Sequence, residues 1–353
     1  MSSEIMIASE QEGLDTDSID VGVVGTGAIA QRLHLPEYED HAQAQVTAIC
    51  DVEEAKALAV ADEYDVSNHY TDYETMLDEG DLDAISVCLP NHLHHDVVVA
   101  ALERDIAVLC EKPISTSLAE ADNMVVAAQE SDATLMIDQS ERFSPVYEKT
   151  KDLLDQDIIG EIHNIRSRFS HPGPEGWSPR STWFTDAEAS GGGALIDIGI
   201  HNADLINHLF GDVDELMGYS ATLSMDTEVE DTTIAVVRFK DDILGTFETA
   251  WRTDPPSITI QIVGEEGVIY VDKIEGTIVV EFADDSGTLE VPVPEESRYG
   301  GPIVHFIDSV LAGTEPTVTG ADGRRALEVV MGVYRSSERG GAVELPLPRE
   351  GEE

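Results

Sequence analysis

A chain of 353 residues is long for one hydrophobic core and comfortable for two. Its 71 acidic residues against 20 basic ones give a net charge of −51, which sets aside nucleic acid and anionic membranes as partners, and its 42% hydrophobic share sets aside disorder. No apolar run reaches the roughly 18 residues of a membrane helix.

Residues 1–18, "MSSEIMIASEQEGLDTDS", lack a basic start and a long apolar stretch, so they read as an acidic tail rather than a secretory signal. Acids continue along the whole length while lysines number six. That bias reads as adaptation to a potassium-chloride-rich cytoplasm, in a halophile, where a Debye length of about 3 Å at 1 M salt screens the repulsion. Cys50, Cys88 and Cys110 close apolar runs without any metal spacing, and read as small buried residues in a reducing compartment.

From Ile19 to about Gln139, the runs "IDVGVVG", "QVTAICD", "LDAISVCLP", "DIAVLCEKP" and "ATLMIDQ" alternate with helical patterns. Continuous apolar strands of this kind are buried on both faces and joined by crossover helices, so residues 19–140 predict a doubly wound parallel sheet. Ligands bind such sheets at the carboxyl ends of the strands.

The first strand ends in "GVVGTGAIAQ". Gly25 permits a tight turn, Gly27 a close approach to a pyrophosphate, and a helix starting near Ala28 and Ile29 offers its N–H donors; Ala30 takes the third glycine position. Asp51, at the end of the second strand, suits a ribose 2′-hydroxyl, and no arginine in "DVEEAK" awaits a 2′-phosphate. NAD is favoured and NADP remains possible.

"CLPNHLHHDVV" ends the fourth strand and carries Pro90, Asn91 and His94 to the cofactor crevice. His92, His94 and His95 gain no cysteine or carboxylate set, so no metal is expected. "CEKP" ends the fifth strand with Glu111 and Lys112, where the lysine would polarise an oxygen or relay a proton.

Near residue 140 the period changes. A helix over "SPVYEKTKDLLDQD", a strand over "EIHNIRSRFSH", and a loop, "PGPEGWSPRSTWF", lead to "GGGALIDIGIHNADLINHLFG". In the loop, Trp177, Arg180 and Trp183 either stack on and bind a polyol ring or pack the loop itself. Gly191, Gly192 and Gly193 would let the chain press close to a ligand. Asp197 and His201 share one helix face four residues apart, a general base with its partner, although Asp204 and His208 are equally eligible by spacing. Alternating runs over 233–293 then predict a mostly antiparallel sheet, and residues 301–337 two helices. Residues 141–345 thus form the second domain, and 346–353 a tail.

Together, "GVVGTGAIA", "CLPNHLHH", "CEKP" and "GGGALIDIGIHNADL" resemble the Gfo/Idh/MocA oxidoreductases, which include glucose–fructose oxidoreductase and inositol dehydrogenase, across about residues 19–345. The resemblance implies a Rossmann domain followed by an α/β domain whose open sheet face makes dimers or tetramers. It implies that Lys112, Asp197 and His201 are catalytic: His201 takes the proton of a sugar or cyclitol hydroxyl as hydride leaves for NAD(P), Lys112 polarises the oxygen, and Asp197 holds both in register. Two other activities known on this fold, an NAD-dependent glycoside hydrolase and a non-catalytic cofactor-binding regulator, stand as alternatives. In "DQSERFSP", Ser140 replaces the family's frequent asparagine while Arg142 and Phe143 remain.

Overall fold

The computed structural model describes residues 18–348 except Trp177, Arg180 and Asp285. Six strands build the first sheet: β1 Ile19–Val24, β2 Ala44–Cys50, β3 Asn68–Tyr70, β4 Ala84–Val87, β5 Ala107–Glu111 and β6 Leu135–Asp138. They lie in the order β3-β2-β1-β4-β5-β6 with every pair parallel. The order reverses beside β1, so a crevice opens at the carboxyl ends of β1 and β4, where the glycine turn and the later strand ends converge. All of β4 and β5 is buried, which explains their unbroken apolar runs. The polar β3, "NHY", sits at the edge and carries no such signature.

Nine strands form the second sheet: β7 Ile162–Ser170, β8 Val213–Ala221, β9 Thr232–Phe239, β10 Leu244–Ala250, β11 Ser257–Gly264, β12 Gly267–Asp272, β13 Thr277–Phe282, β14 Thr288–Val291 and β15 Val343–Glu344. Their order is β14-β13-β12-β11-β7-β10-β9-β8-β15, antiparallel throughout except for β7 with β10. Strand β9 alternates strictly, burying Thr233, Ala235, Val237 and Phe239 while exposing Ile234, Val236 and Arg238. β8 escapes the sequence pattern because a register shift interrupts it near Asp214 and because Gly218 is needed there: a Cβ would stand 3.1 Å from Val333 of the covering helix, Gly320–Arg339.

The last third of the chain returns to the first sheet. Val318 accepts a bond from Ile137 N at 3.2 Å, and Thr319 pairs with Met136 beside β6. Arg142 secures that return: its Nε and Nη2 donate to Asp204 at 2.7 and 2.6 Å, and Nη2 also reaches Asp322 at 3.2 Å. The "RF" element is therefore buried structure, and Asp204 is committed to it rather than to catalysis. The tail expected from residue 346 also begins later: Leu347 is buried and its N–H donates to Glu328 Oε1 at 3.0 Å.

Candidate active site

The glycine turn after β1 divides its labour. Gly25 has φ +94°, and a Cβ there would lie 2.3 Å from the Cys88 carbonyl oxygen, so only glycine fits. At Gly27 a Cβ would meet nothing within 4 Å; the open side of the turn is free for a ligand's approach. Helix begins at Ala28 and Ile29 and turns over in π form across Ala30–His34. Asp51 joins the turn through Oδ2, which accepts from Thr26 N at 3.1 Å and Thr26 Oγ1 at 2.5 Å, while Oδ1 accepts from Glu53 N at 2.9 Å. The carboxylate is thus fixed beside the glycines and still partly exposed, a fit for a nucleotide ribose.

Other strand-end residues serve the scaffold more than sequence suggests. Pro90 is partly exposed, but Asn91 is buried and its Nδ2 donates to Ser190 O at 2.7 Å, tying the two domains. His94 is fully buried; its nitrogens lie 2.8 and 2.9 Å from the carbonyl oxygens of Pro113 and Leu89, so its ring braces two strand-end loops and does not face the crevice. Glu111 turns inward, 3.1 Å from His34 Nε2, and its other oxygen accepts from Lys112 N at 3.2 Å. With Asp138 these two side chains form a buried acid–imidazole cluster, the one metal-compatible trio among the described residues. Against the pull of burial, Cys88 and Glu111 hold His34 well above its ordinary range, while burial and Glu111 push Asp138 up to about 7. Asp138 Oδ2 lies 3.8 Å from His34 Nε2, and its buried Oδ1 has no hydrogen-bond partner.

Lys112, partly exposed at the end of β5, reaches across to the second domain. Its Nζ donates to the Asp197 carbonyl at 2.7 Å and to Asp197 Oδ1 at 3.0 Å. Asp197 Oδ2 accepts from Trp251 Nε1 at 3.0 Å, with His171 Nε2 at 3.6 Å. Burial would raise the Asp197 carboxyl, yet Lys112 and His171 hold it well below the usual carboxylate range. Asp197 lies in a π turn, Leu195–Gly199, that feeds helix Ile200–Phe210, so Asp197 and His201 sit at its entry. Burial, with Lys112 and Lys273, pushes His201 well below an ordinary imidazole, and its Nδ1 has no hydrogen-bond partner. A neutral imidazole beside an ammonium and a fixed carboxylate is a proton acceptor in waiting.

The domain models for "Oxidoreductase family, NAD-binding Rossmann fold" and "GFO/IDH/MocA C-terminal domain" match residues 19–139 and 147–270, together more than half of the chain. The chain belongs to the Gfo/Idh/MocA oxidoreductase family. It is 27% identical to the myo-inositol 2-dehydrogenase of Thermotoga maritima over 336 residues, 92% of this chain and 98% of that one. Identity is also 27% to the D-xylose 1-dehydrogenase [NADP(+)] of Haloarcula marismortui, over 95% of this chain and 96% of that one. The solved WlbA dehydrogenase of Bordetella pertussis, in complex with NADH and UDP-GlcNAcA, superposes with a TM-score of 0.82 at 25% identity, over 94% of this chain and all of that one.

Within this Gfo/Idh/MocA chain, several site neighbours gave no sequence signal. His171 directly follows an ordinary alternating strand, and its Nδ1 accepts from Gly173 N at 2.9 Å, which leaves Nε2 as the donor toward Asp197. Trp251 and His34 likewise lie far in sequence from what they touch. Trp183 stacks on Phe184 with ring centroids 3.8 Å apart, so it packs its own loop, while Trp177 and Arg180 lie outside the described residues. The triple glycine is also corrected. Gly191, at φ +78°, packs on Thr116; a Cβ on Gly192 would fall 2.0 Å from Tyr334 Oη, and one on Gly193 1.9 Å from Glu230 O. These glycines make room for the protein itself, not for a ligand.

Proposed function

We propose that this oxidoreductase moves hydride between a hydroxyl of a sugar, cyclitol or sugar derivative and a nicotinamide, with Lys112, Asp197 and His201 as the catalytic set. The contact that carries this reading is Lys112 Nζ to Asp197 Oδ1, 3.0 Å, at the carboxyl end of β5 and beside a depressed His201. Residues 19–140 would hold the cofactor, through Gly25, Gly27, the helix start at Ala28 and Ile29, and Asp51. Bound nicotinamide supplies the hydride acceptor. Lys112 binds the substrate oxygen and stabilises the charge that develops on it. His201 takes the hydroxyl proton, and Asp197 keeps ammonium and imidazole in register. A carboxylate at Asp51 repels a 2′-phosphate, which favours NAD over NADP.

Residues 141–345 would bind substrate and a second subunit. Met217, Tyr219, Ile234, Val236 and Leu244 form one exposed apolar area on the outer face of β8, β9 and β10, which suits a homodimer or homotetramer. Buried free cysteines and the acid-rich composition suit a reducing, salt-rich cytoplasm.

The test follows reduced-nicotinamide absorbance in about 2 M potassium chloride, with NAD and NADP against aldoses, inositols and sugar acids. Growth with one substrate, faster with NAD, is the expected result. Silence across the panel by protein that binds cofactor would overturn the dehydrogenase in favour of a hydrolase or a regulator.

A further inference from the structure

The π turn that carries Asp197 is held from outside its own helix. Glu230, in the loop between β8 and β9, accepts from Gly193 N at 2.9 Å through Oε2 and from Leu195 N at 2.9 Å through Oε1. Tyr334 Oη donates to Oε1 at 2.9 Å, and the Glu230 carbonyl accepts from Ala194 N at 2.9 Å. Three consecutive N–H groups at a helix entry are thus met by one residue, none from the helix's own side chains. The fit is tight enough to require glycine at 192 and 193, as the Cβ distances above establish. The next residue extends the clasp: Asp231 O accepts from Trp251 N at 2.8 Å, and Trp251 in turn holds Asp197 Oδ2. Asp231 is itself locked, its carboxylate accepting from Leu223, Ser224 and Met225 N at 2.6–3.0 Å.

We infer that Glu230, braced by Tyr334, is a positioning residue that sets the π turn and so the places of Asp197 and His201 against Lys112. This rests on the reading of Lys112, Asp197 and His201 as the catalytic set. It concerns a residue outside that set, and it explains Gly192 and Gly193 as the room that Tyr334 Oη and the Glu230 backbone carbonyl require.

The measurement is the titration of His201, followed by NMR of ring-labelled histidine in the full-length protein and assigned by the signal lost in His201→Gln. Lys112, Lys273, Asp197 and His171 are the titratable groups that act on this ring. In Glu230→Ala the turn slips and His201 leaves that half-buried, cationic setting, so its titration rises by about one unit toward the ordinary value. Direct loss of the Glu230 anion would move it the other way, downward. The NAD dissociation constant stays within about twofold, because Glu230 lies in the second domain, outside residues 19–140, and turnover of any panel substrate falls by about tenfold or more. A His201 titration that stays put or falls would overturn the inference. Tyr334→Phe, which removes one donor, repeats the upward shift at smaller size and decides the matter if Glu230→Ala does not fold. Intact turnover in His201→Gln would sink the catalytic reading alone, leaving the titration to judge Glu230.

Discussion

Two glycine-rich turns, 25–27 and 191–193, each open a helix that runs through a π turn, yet they use glycine for opposite ends. At Gly27 the space a side chain would fill is empty; at Gly193 it is occupied by the Glu230 carbonyl at 1.9 Å. The first turn leaves a surface for a partner that is not protein, the second is closed by protein so that a helix entry cannot move. A motif of small residues therefore does not identify a ligand site until its neighbours are known. On the proposed reading, binding of cofactor belongs to the first turn and registration of the catalytic side chains to the second.

Among changes that bear on the two turns, the largest effect lies where the two regions meet. Lys112→Ala removes the ammonium that spans from β5 to Asp197, and steady-state kinetics would show turnover down by about 10²–10³-fold with the NAD dissociation constant little changed; near-normal turnover would detach the two regions. Gly193→Ala should cost about 1–3 kcal/mol of stability in denaturant unfolding, because a methyl must displace a carbonyl rather than a flexible chain end. Gly27→Ala sharpens the contrast: stability within about 0.5 kcal/mol of the parent, and NAD binding weaker by about tenfold in calorimetric titration. If the two alanines behaved alike, the division between the turns would fail.

The smallest effect concerns the buried acid behind Lys112. Asp138 keeps its proton in the folded protein up to about 7, against 3.8 when unfolded, so its contribution to stability is full below 3.8 and is lost as pH rises toward 7. Asp138→Asn, a neutral mimic of the protonated form, should gain on the parent in thermal unfolding between about pH 5 and pH 8. A constant difference across that range would mean that Asp138 is ionised throughout.

Much of this was legible in the residues. Apolar runs buried on both faces announced the parallel sheet, and the spacing of Gly25, Gly27 and Asp51 announced its cofactor turn. The i, i+4 pair Asp197 and His201 was visible, but spacing could not choose it over Asp204 and His208. Burial of Asp204 against Arg142, 62 residues earlier in sequence, makes that choice. What stayed hidden depends on long-range approach: His34 meets Glu111 across 77 residues, and Trp251 meets Asp197 across 54. No periodicity records such contacts. His94 misled for a related reason, since a histidine at a strand end looks the same in sequence whether it faces a crevice or, as here, two backbone carbonyls.

The most direct test is His201→Ala, assayed for reduced nicotinamide with a substrate the parent oxidises, alongside NAD titration. The structure predicts parent-like NAD affinity with turnover lower by about 10²–10⁴-fold, and in the parent an acid limb of kcat/KM below the ordinary imidazole range, since a depressed His201 stays neutral as pH falls toward it. A variant that still reduces NAD at the parent's rate would contradict the account, because the proton acceptor would then be some other group.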